Sequence, residues 1–502
     1  MSVITKGVRR FFRNRLRDIE RFRQNPAEVQ AEQLHYLVEH GRRTEFGREH
    51  GFADLTTVEQ LRERVPITDY EDFHEQIARM RRGESNVLWP GLVRWFARSS
   101  GTTNAQSKYI PVSAAGLRDA HLRGPRDVAA LFSDIYPDSK VFRGKTLTLG
   151  GSRTLERENG IMTGDLSAIL LENTPSWANL RRVPKVRTAL IPDFEEKVRK
   201  ICREAVRHDV RSFAGVPSWN LVMMNKVLEY TGRANILEVW PNMELFVHGG
   251  VSFKPYREEY HQLIPTAAMK YMETYNASEG FFAIADDPTR DDMLLMLDYG
   301  IFYEFLPISR LDDPTAAVGV EAVRTGTNYA MIISTSSGLW RYVIGDTVEF
   351  TSLAPHRIRI TGRTKHFINV FGEEVMVDNA ERALLAACEA TGALVAEYTV
   401  APVFMHGRCK GAHEWVVEFR SPPSCLDEFA AALDLALQNV NSDYEAKRFR
   451  DTTLHAPVVS VVAPGTFMRW LEQHGKVGGQ NKVPRLSNER TMVEEILKMG
   501  DS

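Results

Sequence analysis

The sequence predicts an α/β protein in two parts. A large N-terminal domain of mixed and parallel sheets with helices and a β-rich subdomain is expected over residues 1–363, and a small α+β C-terminal domain over residues 364–502. Three observations carry this. The first 65 residues have helical apolar spacing and helix-start signals. From residue 90, strand-like runs alternate with helical ones and break into Gly- and Ser-rich turns. After Gly362-Arg363 a helix, an alternating strand and a second helix follow, within the size of a small domain.

Lys6, Arg9, Arg10, Arg13, Arg15, Arg17, Arg21 and Arg23 make the start basic, with Val3, Ile4, Phe11, Phe12 and Leu16 between them. This lacks the apolar run of a secretory signal. It reads as an amphipathic helix with a solvated basic face, docking on a membrane surface being the other reading. Asn25-Pro26 is a cap followed by proline at the first helical position, and Leu34, Leu37 and Val38 mark an apolar face. Thr56 and Glu59 fit a capping box for a helix ending before Pro66.

Val93–Ala97 reads as a strand, then breaks into Ser99-Ser100-Gly101-Thr102-Thr103. Strands are expected at Thr146–Leu149 and at Leu245–Val247, the latter ending in Gly249-Gly250. A helix near Tyr256–Leu263 and a strand at Tyr271–Tyr275 complete a right-handed parallel unit. Its two polar ends then share the sheet edge where open α/β folds bind ligands. Val320–Val323 and Tyr329–Ser334 flank Thr325-Gly326 and predict a hairpin; Arg341–Phe350 and Arg357–Ile360 continue as strands. Asn379–Cys388 and Leu426–Val440 read as helices, with the alternating strand Glu414–Phe419 between them.

Composition excludes several classes. Lys plus Arg is 63 and Asp plus Glu is 65, a net charge of −2, so nucleic acid is not the expected partner. No apolar run reaches the roughly 18 residues of a spanning helix. Cys202, Cys388, Cys409 and Cys425 have no disulfide-framework spacing, so a reducing, cytoplasmic compartment is expected. His406, Cys409 and His413 are too few for a metal centre.

Four segments can carry chemistry. Ser99–Lys108 packs hydroxyls, a glycine and a lysine after a strand, which suits phosphate oxygens and equally a polar turn without ligand. Tyr275–Gly280 offers an aromatic, a hydroxyl and a carboxylate at a strand end, able to stack a base, hold a phosphate and ligate Mg²⁺; read alone, Glu279 is equally a solvated side chain. Asp346, after Gly345, can accept ribose hydroxyls or be a plain turn residue. Gly475–Arg485 puts three glycines before Lys482, a loop that can carry a charge into a site or lie exposed.

The order of the four is more specific than any one. Together they resemble the Gretchen Hagen 3 family of acyl acid amido synthetases, within the adenylate-forming superfamily of acyl-CoA synthetases, peptide-synthetase adenylation domains and luciferases. The resemblance runs from Thr44-Glu45-Phe46-Gly47 through the S-S-G-T-T at Ser99–Thr103 and Trp240-Pro241-Asn242. It continues with Tyr275–Glu279, Phe305-Leu306-Pro307, the G-L-W-R-Y at Gly338–Tyr342 and the N-K-V-P-R at Asn481–Arg485. The departures are Ala105 for a common glycine, Val343 for an arginine of the plant enzymes, and Asn276-Ala277 for Ala-Ser. They mark a divergent, bacterial-type branch.

The resemblance implies roles. Ser99, Ser100, Thr102 and Thr103 would hold the ATP phosphates, with Lys108 at the motif's lysine position. Gly249, Gly250, Val251 and Ser252 would line the adenine pocket. Tyr275 would flank the base, Ser278 touch the α-phosphate and Glu279 bind Mg²⁺. Asp346 would hold the ribose with help from Arg363, and Lys482 would swing in on a mobile small domain hinged near Gly362–Lys365. The implied reaction joins a small carboxylic acid to an amine, probably of an amino acid, through an acyl-adenylate, in a monomer. A thiol acceptor, either coenzyme A or a carrier protein, is the main alternative; a non-catalytic nucleotide-binding protein is the other.

Overall fold

The computed structural model describes residues 3–99, 108–148, 155–191, 194–250, 253, 256–364, 367–368, 373, 375–403, 411–441, 444–445, 448, 454–474, 482–487 and 489–500. These fall into two compact units. The first takes the described residues of Met1–Ile344 and Val348–Arg359; the second takes those of Gly345–Thr347, Ile360–Val477 and Asn481–Ser502.

The first unit opens with helices α1 (Val3–Phe11), α2 (Arg13–Gln24), α3 (Pro26–Gly41), α4 (Glu45–Glu49), α5 (Val58–Arg64) and α6 (Tyr70–Arg81). Pro26 stands at the first turn of α3, where its missing N–H leaves no bond unmade. The capping box of α5 lies one residue later than expected, on Thr57 and Gln60. The Gln60 side-chain oxygen accepts the N–H of both Thr56 and Thr57.

In chain order the strands of this unit are Trp95–Ser99 (β1), Lys108–Val112 (β2), Lys145–Thr148 (β3), Glu156–Glu158 (β4), Ile161–Gly164 (β5), Arg182–Val183 (β6), Val210–Gly215 (β7) and Leu245–Gly249 (β8). Lys270–Ala277 (β9), Gly280–Ile284 (β10), Met293–Leu295 (β11), Ile301–Pro307 (β12), Asn328–Thr335 (β13), Tyr342–Leu353 (β14) and His356–Arg363 (β15) follow. One sheet has four strands, in the order β2-β1-β5-β4; the other has eleven, β12-β13-β14-β15-β11-β10-β9-β8-β7-β3-β6. From β6 to β9 neighbours are parallel, and β9, β10 and β11 continue antiparallel. Helix Arg257–Leu263 crosses between parallel β8 and β9, so this unit is the expected one. Leu147, Phe213, Phe246, Trp240 and Tyr260 bury one face of the parallel region.

Two expectations are corrected. The strand expected at Val93–Ala97 is Trp95–Ser99, two residues later, because it pairs antiparallel with β2 from Trp95↔Val112 to Ser99↔Lys108. The polar segment after it therefore joins two strands of the small sheet. Val320–Val323 is not half of a hairpin. β13 pairs with β12 instead, while Thr325 bridges Phe350 and the Tyr329 hydroxyl accepts the Arg324 N–H. Val320 and Val323 are buried without forming a strand.

The G-L-W-R-Y segment ties the N-terminal helices to the large sheet. Arg341 is 2% exposed and its guanidinium meets Glu304 of β12, 1% exposed, at 2.8 and 3.1 Å. It also donates to the carbonyls of Arg62 and Val65 at the end of α5, and Arg62 reaches Glu304 at 2.9 Å. Trp340 fills the space over Gly41, where an added Cβ would come within 2.6 Å of its ring.

The second unit is built on Leu394–Val403 (β18), Ala412–Ser421 (β19) and Val458–Val462 (β20), preceded by the short pair Phe367–Ile368 (β16) and Val375–Met376 (β17). Alternation along β19 sorts its two faces. Trp415, Val417 and Phe419 pack with helices Val377–Thr391 and Leu426–Val440; Val416 packs with Thr466–Gln473 and Thr491–Gly500.

The buried pair gives a stability test. Glu304→Ala leaves Arg341 charged and unpaired, so the unfolding free energy falls by about 3–5 kcal/mol. Arg21→Ala, which removes an exposed pairing with Glu28 and Glu32, leaves the urea midpoint close to that of the wild type. Urea unfolding of both variants checks the contrast.

Candidate functional site

In the first unit the predicted residues gather at strand ends. β9 and β10 are joined by a two-residue turn, Ser278-Glu279, with Ala277 opposite Gly280. Both strands are rooted in the sheet, so the turn is held on a rigid base. Ser278 is buried and Glu279 half-buried. The Tyr275 ring is 4% exposed and packs on Phe282 with centroids 4.8 Å apart. Gly249 lies opposite Thr274, and a Cβ there would approach the Thr274 carbonyl oxygen to 2.3 Å. Gly250 takes φ +83°, a left-handed turn out of β8 that favours glycine. Lys108 opens β2, its ammonium 5.4 Å from the Tyr70 ring centroid. Only the backbone of Ser99 is described; Ser100, Thr102, Thr103, Val251 and Ser252 lie outside the described residues.

His248 was not singled out by the sequence reading. It precedes the two glycines, is 4% exposed and stacks on Phe253 at 4.4 Å. Its Nδ1 has no hydrogen-bond partner among the described residues. Burial, then the charge of Arg257, brings it down to about 3, so the ring is neutral at physiological pH. A histidine against a Gly-Gly strand end was the available signal.

In the second unit Asp346, Arg363 and Lys482 come together. Gly345 at φ +91° turns β14, and the Thr364 N–H closes on its carbonyl at 2.8 Å. Arg363 Nε donates to the Asp346 carboxylate at 2.6 Å. Lys482 begins a segment braced on β18. The Thr399 hydroxyl donates to the Pro484 carbonyl, Val400 exchanges backbone bonds with Arg485 and Ser487, and Arg485 pairs with Glu397 and covers the Tyr398 ring. Val483 is buried. The residues after the lysine thus fix its position. Lys482 itself remains exposed, yet desolvation of its ammonium, then the Arg363 charge, brings it down to about 8; Asp346 and Glu381 pull the other way. A lysine so placed is a cation below pH 8 and an amine above it.

Three family models match in chain order: the GH3 family N-terminal domain over residues 15–269, its central domain over 294–363 and its C-terminal domain over 378–491. The chain belongs to the GH3 family. Among its curated GH3 relatives is the indole-3-acetic acid-amido synthetase GH3.8 of Oryza sativa subsp. indica, 23% identical, the alignment covering 96% of this chain and 91% of that one. Another is the indole-3-acetic acid-amido synthetase GH3.4 of Arabidopsis thaliana, 23% identical over 97% of this chain and 93% of that one. The solved AtGH3.15 acyl acid amido synthetase in complex with 2,4-DB superposes with a TM-score of 0.80 at 17% identity, covering 97% of this chain and 95% of that one. A 2-hydroxyisobutyryl-CoA ligase in the postadenylation state gives 0.60 at 13% identity, covering 94% and 92%. At such identities these superpositions establish the fold, which is the mixed α/β architecture that GH3 chains share with adenylate-forming enzymes.

The charge balance at Lys482 can be read directly. Amine-directed labelling of this residue, followed by peptide mass spectrometry across pH, has its midpoint near 8. Arg363→Ala removes a repelling charge and frees Asp346 to attract the ammonium, so the midpoint moves upward.

Proposed function

We propose that this GH3 chain is an ATP-dependent acyl acid amido synthetase. The observation that carries the reading is the Asp346–Arg363 pair with Lys482 beside it, in a chain matched by three GH3 models in order between residues 15 and 491. In the first step a carboxylate oxygen of the acid attacks the α-phosphorus of ATP. A P–O bond forms, the bond to the β-phosphate bridge breaks, and pyrophosphate leaves with its electron pair. In the second step a neutral amine, proposed to be that of an amino acid, attacks the acyl carbon. An amide forms, AMP leaves, and the amine's proton passes to solvent or a base.

Residue roles follow from chemistry and position. The first step brings an anion to a polyanion, so a cation aimed at the α-phosphate stabilises the charge that grows there. Lys482 is assigned that task, with Ser278 as a hydroxyl donor to the same phosphate. Ser99, Ser100, Thr102, Thr103 and Lys108 are assigned to the β- and γ-phosphates. Gly249-Gly250 lets backbone approach the base closely, with Val251 and Ser252 extending that wall and Tyr275 flanking the ring. Asp346, fixed by Arg363, is assigned to the ribose hydroxyls. Mg²⁺ fits Glu279: this ion keeps several waters and needs one or two carboxylates plus phosphate oxygens, and Glu279 sits on a turn beside Ser278. Bound there, it would neutralise phosphate charge. Residues 1–363 are assigned to binding nucleotide and acid, and 364–502 to carrying the lysine. The three described cysteines, Cys202, Cys388 and Cys425, are free thiols, in keeping with the reducing, cytoplasmic compartment proposed for this chain, and a monomer is proposed.

The deciding measurement is carboxylate-dependent ATP–pyrophosphate exchange over aryl, indolyl and fatty acids, with product masses taken after adding pooled amino acids or coenzyme A. An amide mass is expected. A thioester alone would reassign the acceptor; no exchange with any acid, with ATP binding intact by calorimetry, would remove the enzymatic reading. Lys482→Ala lowers the adenylation half-reaction by roughly 100-fold or more, and transfer from synthetic acyl-adenylate much less. Equal losses in both would sink the role given to Lys482. In the wild type, kcat/KM for adenylation falls as pH rises through about 8, because the cation is present below that value and lost above it.

A further inference from the structure

The N-terminal helices divide their cations into two sets. Arg9 pairs with Asp134, Arg15 with Asp127 and Asp298, Arg21 with Glu28 and Glu32, and Arg23 with Asp286. Lys6, Arg10, Arg13 and Arg17 make no ion pair among the described residues, and all four are exposed. Lys6 and Arg10 lie one turn apart on α1, Arg13 and Arg17 lie one turn apart on α2, and together they form one stripe along a single cleft. The other side of the same helices buries Thr5, Ile19 and Phe22. The stripe is therefore not a by-product of a basic segment: those arginines that face carboxylates are neutralised, and the outward set is left charged.

The four cations line a cleft of about 570 Å³ together with Arg9 and Leu16. Its two carboxylates, Glu20 and Asp134, are already paired with Arg23 and Arg9. About a third of a turn round the helix from the stripe, α1 projects two apolar side chains into solvent, Phe11 at 73% exposure and Ile4 at 40%. From Lys6 to Arg17 the stripe runs about 16 Å along the helix direction, longer than a single phosphate group. An extended row of unpaired cations flanked by a protruding aromatic suits a negatively charged interface that also admits apolar groups.

We propose that the α1–α2 face docks this protein on an anionic lipid bilayer, with Lys6, Arg10, Arg13 and Arg17 on the headgroups and Phe11 and Ile4 entering the interface. Binding of this kind is peripheral, reversible and screened by salt. No helix among the described residues is long and apolar enough to cross a membrane. Each basic residue near an anionic surface contributes about fivefold in partitioning.

Vesicle sedimentation of the full chain tests this. Wild type is expected to bind mixed phosphatidylcholine–phosphatidylglycerol vesicles, to ignore pure phosphatidylcholine, and to be released at about 1 M salt, where the screening length is about 3 Å. The triple variant Arg10→Ala, Arg13→Ala, Arg17→Ala lowers partitioning roughly 100-fold. Phe11→Ser lowers it roughly tenfold by removing the apolar anchor. All four substitutions are at exposed positions, and unchanged pyrophosphate exchange and urea unfolding confirm that each variant is folded. Equal binding to neutral and anionic vesicles, no binding to either, or wild-type partitioning by both variants would overturn the proposal. So would capture of the stripe by an acidic protein or by inorganic polyphosphate without any binding to vesicles.

Discussion

The buried contact between Arg341 and Glu304 is the constraint on which the first unit depends. Arg341 adopts φ +46°, a left-handed conformation that costs a non-glycine residue roughly 1–2 kcal/mol. It holds there because its side chain answers several needs at once: the Glu304 carboxylate, the last carbonyls of α5, and through Glu304 the guanidinium of Arg62. The turn so fixed places Trp340 against the N-terminal helices and starts β14 at Tyr342. Thr68 extends the same seam by bonding across to the Trp340 and Arg341 carbonyls. The strand that leaves this turn leads directly to Asp346. The G-L-W-R-Y motif is thus in large part a structural clamp, with Asp346, proposed to hold the ribose, four positions beyond it.

The second unit works on a similar division of labour. Pro484, Arg485 and Leu486 are spent on attachment to β18, and only Lys482 is left facing outward. Its neighbours are of both signs, and desolvation with the Arg363 charge brings it down to about 8, below an ordinary lysine. In the proposed reaction that is useful. An ammonium already saturated by carboxylates would have little to give a phosphate, whereas one held beside a competing guanidinium gains from the arrival of a polyanion.

The sequence revealed the elements with their own local signals. The β8–helix–β9 unit was legible because its glycines, its apolar runs and its crossover length agree. Leu426–Val440 was legible to the residue because one apolar face is continuous. The failures have identifiable causes. Val320 and Val323 look like a strand because they are apolar and β-branched, but they fill a core from a loop while β13 takes a distant partner. The capping box slipped by one because two threonines stand side by side and Gln60 accepts the N–H of both. No local pattern could pair Arg341 with Glu304, which are 37 residues apart and recognisable only once β12 is in place. His248 was passed over for the same reason: its isolation inside an aromatic cluster is a tertiary fact. Of the candidate site, residue types and order were legible. The joining of Asp346 to Arg363 and the bracing of Lys482 were not.

The turn that carries Ser278 and Glu279 has an evolutionary consequence. It is two residues long, and β10 behind it is buried along its whole length, Phe281 on one face and Phe282 on the other. The ladder already absorbs one irregularity between Phe281 and Ala283, so a further insertion or deletion in the turn would have to be taken up within this buried strand. Loops elsewhere in the chain can lengthen or shorten as the protein diverges, but this one is locked in length by the core beneath it. Variation is confined to the identity of its side chains. Substitutions such as Asn276 and Ala277 are the kind of change the site admits, and new specificity must be sought in segments whose ends are not tied so closely.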